Sequence, residues 1–323
     1  MKMIHRPIEG TFKFAIILLV SVMIPSQIVG FFFGTYAAMA VGIAAGFTMA
    51  VTPLATTAQA LGSAVLAAVL AAASSAADDN ALAVAALMLV SAALLGLTNQ
   101  HSAGLMTLAP AIVIIFGPSS VDMSWMSTFW FVLLGGAVGW LVITLFKFSA
   151  EPKPVPAGVA WRHAIVLGVL SSVAMYWAVS NQISHGYWIA VTLVVALRPL
   201  PEQRAHTLRD RLLGTLGGAL LALAVIVLLP VWAGALVAAV CLVLLATYSM
   251  GGSYFMQTFF LTPMLLIFAT LGDEGKGVTY TTERVFYTIV GVAVGVLAAW
   301  GLDRWDKAAG DLPVVAEEPT PAT

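Results

Sequence analysis

Charge is what this sequence has least of. Asp, Glu, Lys and Arg make up 9% of the 323 residues, where an ordinary globular domain is roughly a quarter charged. With 61% hydrophobic residues and a mean hydropathy of +0.99, the composition excludes an ordinary soluble domain and points to a bilayer. The formal net charge of −1 carries no basic or acidic surplus, so nothing directs the chain to nucleic acid. Cysteine is nearly absent too: Cys241, in VAAVCLVLLAT, has no second thiol to pair with. Enzyme motifs are missing, with no HExxH, no GxSxG and no GxxxxGK[ST]. His206 and Asp210 are separated by three residues, where the acyltransferase pattern HxxxxD needs four. No catalysis, cofactor or metal is expected.

What the chain does contain is apolar runs. A spanning helix needs about 20 such residues to cross roughly 30 Å of hydrocarbon. Twelve spans are predicted, near 12–29, 34–52, 56–77, 80–97, 101–117 and 125–147, then 162–180, 186–198, 207–229, 231–248, 253–271 and 282–302. The basic start MKMIHRPIEGTFKF precedes a run without a small-residue cleavage pattern, which reads as a first span rather than a removed signal. The fold class expected is therefore all-α and polytopic. SAEPKPVPAG supplies a Pro-rich linker at 149–158, and residues 308–323 form a disordered tail.

The two halves, 1–148 and 159–307, resemble each other. Gly34 falls on Gly186 and Gly62 on Gly214, Pro110 on Pro263, and Gly135 and Gly139 on Gly291 and Gly295, with small drift in offset. Six spans is an even number, so both copies enter the membrane the same way round, as two parallel six-helix repeats. With a cytoplasmic N-terminus, twelve of the fourteen Lys and Arg fall inside and only Lys276 and Arg284 outside, which predicts both termini in the cytoplasm. The four arginines of RPLPEQRAHTLRDRLLGT, Arg198, Arg204, Arg209 and Arg211, all belong to that inside group.

Few residues offer chemistry within the spans. Pro110 and Pro263 remove a backbone hydrogen bond at matching places and are expected to break their helices near mid-span, a pointer to a transport path. Uncharged polar residues, Gln59, Thr107, Thr192, Thr215, Gln257 and Thr262, are expected to bond between helices. The spacings Gly42/Gly46, Gly135/Gly139, Gly214/Gly218 and Gly291/Gly295 allow close helix packing. Thr207 and Asp210 fit a capping box at the start of a helix. The candidate proton carriers, Asp210, Glu283 and His101, lie near helix ends rather than deep in a span.

Residues 185–222, HGYWIAVTLVVALRPLPEQRAHTLRDRLLGTLGGALLA, resemble the fusaric acid resistance family, which includes aromatic acid exporters. The family pattern is an aromatic-Trp span start, a Thr one turn on, a helix ending at Pro, then T-x3-R-x2-G-T-x2-G. Tyr187, Trp188, Thr192, Pro199, Thr207, Arg211, Gly214, Thr215 and Gly218 match it in order. The first half matches less well, with Gln59 where the second half has Arg211 and Tyr36 where it has Trp188. The resemblance implies efflux of small organic anions, aromatic carboxylates among them, at a cell inner membrane, with membrane lipids and a homo-oligomer or periplasmic adaptor as partners. The aluminium-activated malate transporters of plants are distantly similar and pass dicarboxylates as channels.

The reading expected from all this is an exporter of a small organic anion, its path between the two halves. Arg211, helped by Arg204 and Arg209, draws a carboxylate to the cytoplasmic mouth, because a guanidinium fork meets a carboxylate through two parallel hydrogen bonds. Tyr187, Trp188 and Gln257 line the path beside the Pro110 and Pro263 breaks. An anion channel and a non-transporting assembly or lipid-binding protein are the alternatives.

Overall fold

A backbone in hydrocarbon must satisfy its own N–H and C=O groups, and the chain does so with helices throughout. The computed structural model describes residues 11–52, 55–102, 109–117, 123–147, 154–183, 185–249, 253–270 and 277–310. Among them are twelve helices and no strand. The first six are α1 (Thr11–Phe33), α2 (Thr35–Val51), α3 (Thr57–Ala77), α4 (Ala81–Asn99), α5 (Ala109–Ile115) and α6 (Trp125–Leu145). The others are α7 (Ala157–Ser180), α8 (Trp188–Ala196), α9 (Pro201–Leu228), α10 (Val231–Ser249), α11 (Tyr254–Thr270) and α12 (Gly277–Ala308).

Eight of these, α1, α3, α4, α6, α7, α9, α10 and α12, are long and apolar enough to cross a membrane. The twelve expected spans are corrected at α8; α2 and α11 are shorter apolar helices of 17 residues each, and residues 103–108 of the span expected at 101–117 lie outside the described residues. The span expected at 186–198 is a helix of 9 residues, about 14 Å long at 1.5 Å per residue, and the described helix in 101–117 has 7 residues. Pro199 explains the early end of α8: the residue before a proline is pushed off helical geometry, and Leu197 is already extended at φ −80, ψ 102. Pro201 then opens α9 at its first position, where a missing N–H costs nothing.

That start corrects the expected cap. Thr207 and Asp210 lie well inside α9, and Asp210 Oδ1 accepts from Arg209 Nη2 at 2.8 Å instead of capping. A true capping box opens α3, where Gln59 Oε1 accepts from the Thr56 N–H at 2.9 Å and Thr56 Oγ1 accepts from the Gln59 N–H at 3.3 Å. Gln59 is therefore an exposed first-turn residue, not a polar group at depth. Thr262 bonds within its own helix, donating to the Thr258 carbonyl at 3.1 Å; Thr107 lies outside the described residues.

The proline expectation divides. Pro110 is the second described residue of α5, and residues 103–108, where its break would fall, lie outside the described residues. Pro263 lies mid-way along α11 and deprives the Phe259 carbonyl of its intrahelical donor. Gly218 of α9 packs on that carbonyl so closely that a Cβ there would lie 2.5 Å from the oxygen; at Gly214 it would lie 2.8 Å from the Phe255 carbonyl. Gly218→Ala is expected to destabilise by about 1–3 kcal/mol, the range for overpacking a closed contact. Gly62→Ala, where a Cβ meets nothing within 4 Å, is expected to be neutral or stabilising. Unfolding of both variants in detergent checks the contrast.

The first half packs α2 and α3 on α6, with α1 along α2; the second packs α8 and α9 on α12, α7 along α8, and α11 between α9 and α10. The halves meet along α4–α7, α1–α10 and α5–α8. One apolar core runs through both, including Phe47, Met88, Phe116, Leu167, Leu193 and Leu208. Large apolar side chains such as Leu220, Trp232 and Leu297 are exposed on the outer faces, as a lipid-bathed surface requires. Residues 149–153 of the expected linker and 311–323 of the expected tail lie outside the described residues.

Candidate functional site: two buried arginines between α8, α9 and α12

Helical spacing sets three polar stripes against one another. On α9, Arg204, Leu208, Arg211 and Thr215 recur every three or four residues and so share one face. Arg204 bonds to Asp303 and Asp306 of α12, and Leu208 meets Gly295 of α12, so this face looks at α12. On α12, Arg284, Thr288, Gly291 and Gly295 form the matching stripe. Trp188 and Thr192, one turn apart on α8, close the third side: Thr192 packs on Gly291, and the Arg284 guanidinium lies 3.7 Å from the centre of the Trp188 ring.

Arg211 and Arg284 are 2% and 1% exposed, inside helices that cross the membrane. They stand on the facing stripes of α9 and α12. Among the described residues, neither Nε and Nη2 of Arg211 nor Nε, Nη1 and Nη2 of Arg284 finds an acceptor. The hydroxyls of Thr192, Thr215 and Thr288, all buried, are equally without partners. An uncompensated charge at the bilayer centre costs at least about 2.5–3.5 kcal/mol, and a fold keeps such groups where they work on an ion or substrate.

The contrast lies a few turns along the same stripe. Arg204, 1% exposed, gives Nε to the Arg198 carbonyl at 3.1 Å, Nη1 to Asp303, and Nη2 to the Pro199 carbonyl at 2.6 Å and Asp306 at 2.9 Å. Arg162 of α7 donates to the other oxygen of Asp306 at 2.7 Å. Arg204 is thus committed to protein acceptors that tie α9 to α12, and is not available as a free fork. Arg209 is exposed and paired with Asp210.

The rim beside Arg284, where α8 and α12 begin, is aromatic. Tyr187 stacks obliquely on Trp188 at 5.1 Å, and His185 meets Tyr280 edge-on at 4.9 Å. Glu283 is next to Arg284 in sequence, but adjacent helix residues do not share a face. Its carboxylate instead accepts from His185 Nδ1 at 2.6 Å. Trp188, sequence-marked as a wall for the ligand, holds Arg284 through a cation–π contact. The remaining sequence candidates lie elsewhere: Gln257 in the first turn of α11, Pro110 on α5, Pro263 on α11, and His101 exposed just past the end of α4.

Arg284 and Thr288 were missed by sequence reasoning. The signal was present, because Arg284 falls within its own expected span, 282–302, yet was tallied as an outer-loop charge. The described helix begins at Gly277, which puts Arg284 about two turns inside α12.

The stretch that holds every residue of this site is also the stretch with known relatives. Residues 160–298 match the fusaric acid resistance protein-like family. The match runs from α7 into α12 and bears out the resemblance read from residues 185–222. Inner membrane protein YccS of Escherichia coli is 27% identical over 139 residues, 43% of this chain and 19% of that protein. Uncharacterized protein slr1298 of Synechocystis is 27% identical over 148 residues, 44% of this chain and 19% of that one. The chain thus matches about a fifth of the length of these relatives. No solved structure matches it. The chain is a multi-pass membrane protein with a fusaric acid resistance-like second half.

Proposed function

We propose that this chain is an inner-membrane transporter that exports small organic anions, aromatic carboxylates among them. One observation carries the reading: two buried guanidiniums, Arg211 and Arg284, with no protein acceptor among the described residues. Each fork matches a carboxylate through paired hydrogen bonds, and the hydroxyls of Thr192, Thr215 and Thr288 add neutral donors. The aromatic rim of Tyr187, Tyr280 and His185 is consistent with an aromatic ring entering behind its carboxylate. The path runs beside α8, which packs on α5 of the first half and so stands at the border of the two halves.

The two-repeat architecture is part of this proposal. It is supported by helix pairs that recur six helices on: α2–α6 with α8–α12, α3–α6 with α9–α12, α1–α2 with α7–α8, α4–α5 with α10–α11. Cytoplasmic termini are supported by the charge distribution, eleven to one once the buried Arg211 and Arg284 are set aside, and the name of the Escherichia coli relative supports the inner membrane.

Efflux from proteoliposomes of a panel of labelled aromatic and aliphatic carboxylates, into a medium that holds the same unlabelled carboxylate and with and without a pH gradient, tests the reading. Wild-type protein is expected to carry members of the panel, and Arg211→Lys, which keeps the charge and loses the fork, to slow them at least about tenfold, the worth of one charge-assisted hydrogen bond. Flux of none of them, or full flux in the lysine variant, would overturn it.

A further inference from the structure

We infer that this protein is an anion exchanger: its site changes sides when loaded, and net movement of one anion without a returning one is slow. The inference rests on the anion-transport reading and concerns what balances Arg211 and Arg284 when no substrate does. A carrier with a net mode needs an internal counter-charge that takes the substrate's place on the return. Among the described residues Asp306 is the one buried carboxylate, and both of its oxygens are held by Arg162 and Arg204. Glu283, one residue from Arg284, is turned to His185 on a different face of α12. Lysine, histidine and aliphatic hydroxyl groups supply no negative charge; the Arg284 guanidinium lies over the Trp188 ring, and Thr215 and Thr288 follow Arg211 and Arg284 one turn along their own helices.

Without an anion the pair meets the penalty of an uncompensated charge, offset at Arg284 only by the Trp188 ring, whenever its surroundings rearrange. For a single charge at mid-membrane that corresponds to about a 100-fold slowing. A bound anion removes the penalty in both directions, so exchange of one anion for another proceeds without it. Exchange of like anions moves no net charge and is insensitive to membrane potential.

The test uses reconstituted wild-type protein and radiolabelled phthalate, an aromatic carboxylate that stays ionised at neutral pH and does not cross lipid unaided. Uptake is compared between vesicles loaded with unlabelled phthalate and vesicles loaded with an impermeant sulfonate, with and without an imposed potential. The expected result is uptake about 100-fold faster into phthalate-loaded vesicles and unchanged by potential. Equal uptake into both overturns the exchange inference and leaves anion transport standing. Uptake into neither, with no carboxylate of the panel carried, overturns the transport reading itself and exchange with it.

Discussion

Asp306→Asn is expected to cost the folded protein about 3–5 kcal/mol, the loss typical when one partner of a buried ion pair is removed. Asp306 is fully buried and is the shared acceptor of two arginines from two other helices, Arg162 of α7 and Arg204 of α9. An asparagine keeps one oxygen but turns an NH2 group toward a guanidinium, so one buried cation loses its acceptor and meets a donor. Asp303, whose side chain is 41% exposed, is then the acid that remains to Arg204. Asp303→Asn is expected to cost much less, about 1 kcal/mol or under, because solvent screens that pair. Thermal unfolding in detergent separates the two variants; equal stabilities would show that the cluster does not tie α7, α9 and α12 together.

The double change Arg211→Gln, Arg284→Gln is expected to act in the opposite direction on stability and to abolish function. Each arginine stands as a charge without a protein acceptor, so its removal relieves about 2.5–3.5 kcal/mol of desolvation cost. The ligand-free variant should therefore unfold at a higher temperature than wild type. The rise that carboxylates give to wild-type unfolding, through preferential binding to the folded state, should vanish. An arginine pair kept only for structure predicts the reverse: lower stability without ligand. The two substitution sets act along the facing sides of α9 and α12, several turns apart, and their opposite signs distinguish a structural cluster from a binding one.

Much of the fold was readable from composition, because an apolar chain with 9% charged residues has few alternatives to membrane helices. Helix lengths were less readable. WIAVTLVVAL is apolar throughout, and nothing in its hydropathy marks where the helix stops; Pro199 does, through the restraint it places on the residues before it. The site was half readable. Arg211 stood out through its sequence pattern and through Gln59 at the corresponding place in the first half. Arg204 looked like a similar cation, because the acids that occupy it lie 99 and 102 residues downstream. Arg284 was hidden by the charge tally that fixed the topology: a count of loop charges treats every arginine near a span boundary as an anchor. Only the packing of α8, α9 and α12 brings Arg211, Arg284 and the three threonines together.

The central claim is that Arg211 and Arg284 together hold an organic anion. Equilibrium binding of radiolabelled phthalate and benzoate to purified protein in detergent tests it most directly, with wild type beside the folded Arg211→Gln, Arg284→Gln variant. Saturable binding in wild type, displaced by unlabelled carboxylate and lost in the variant, is the predicted result. Equal binding by the two proteins would contradict it.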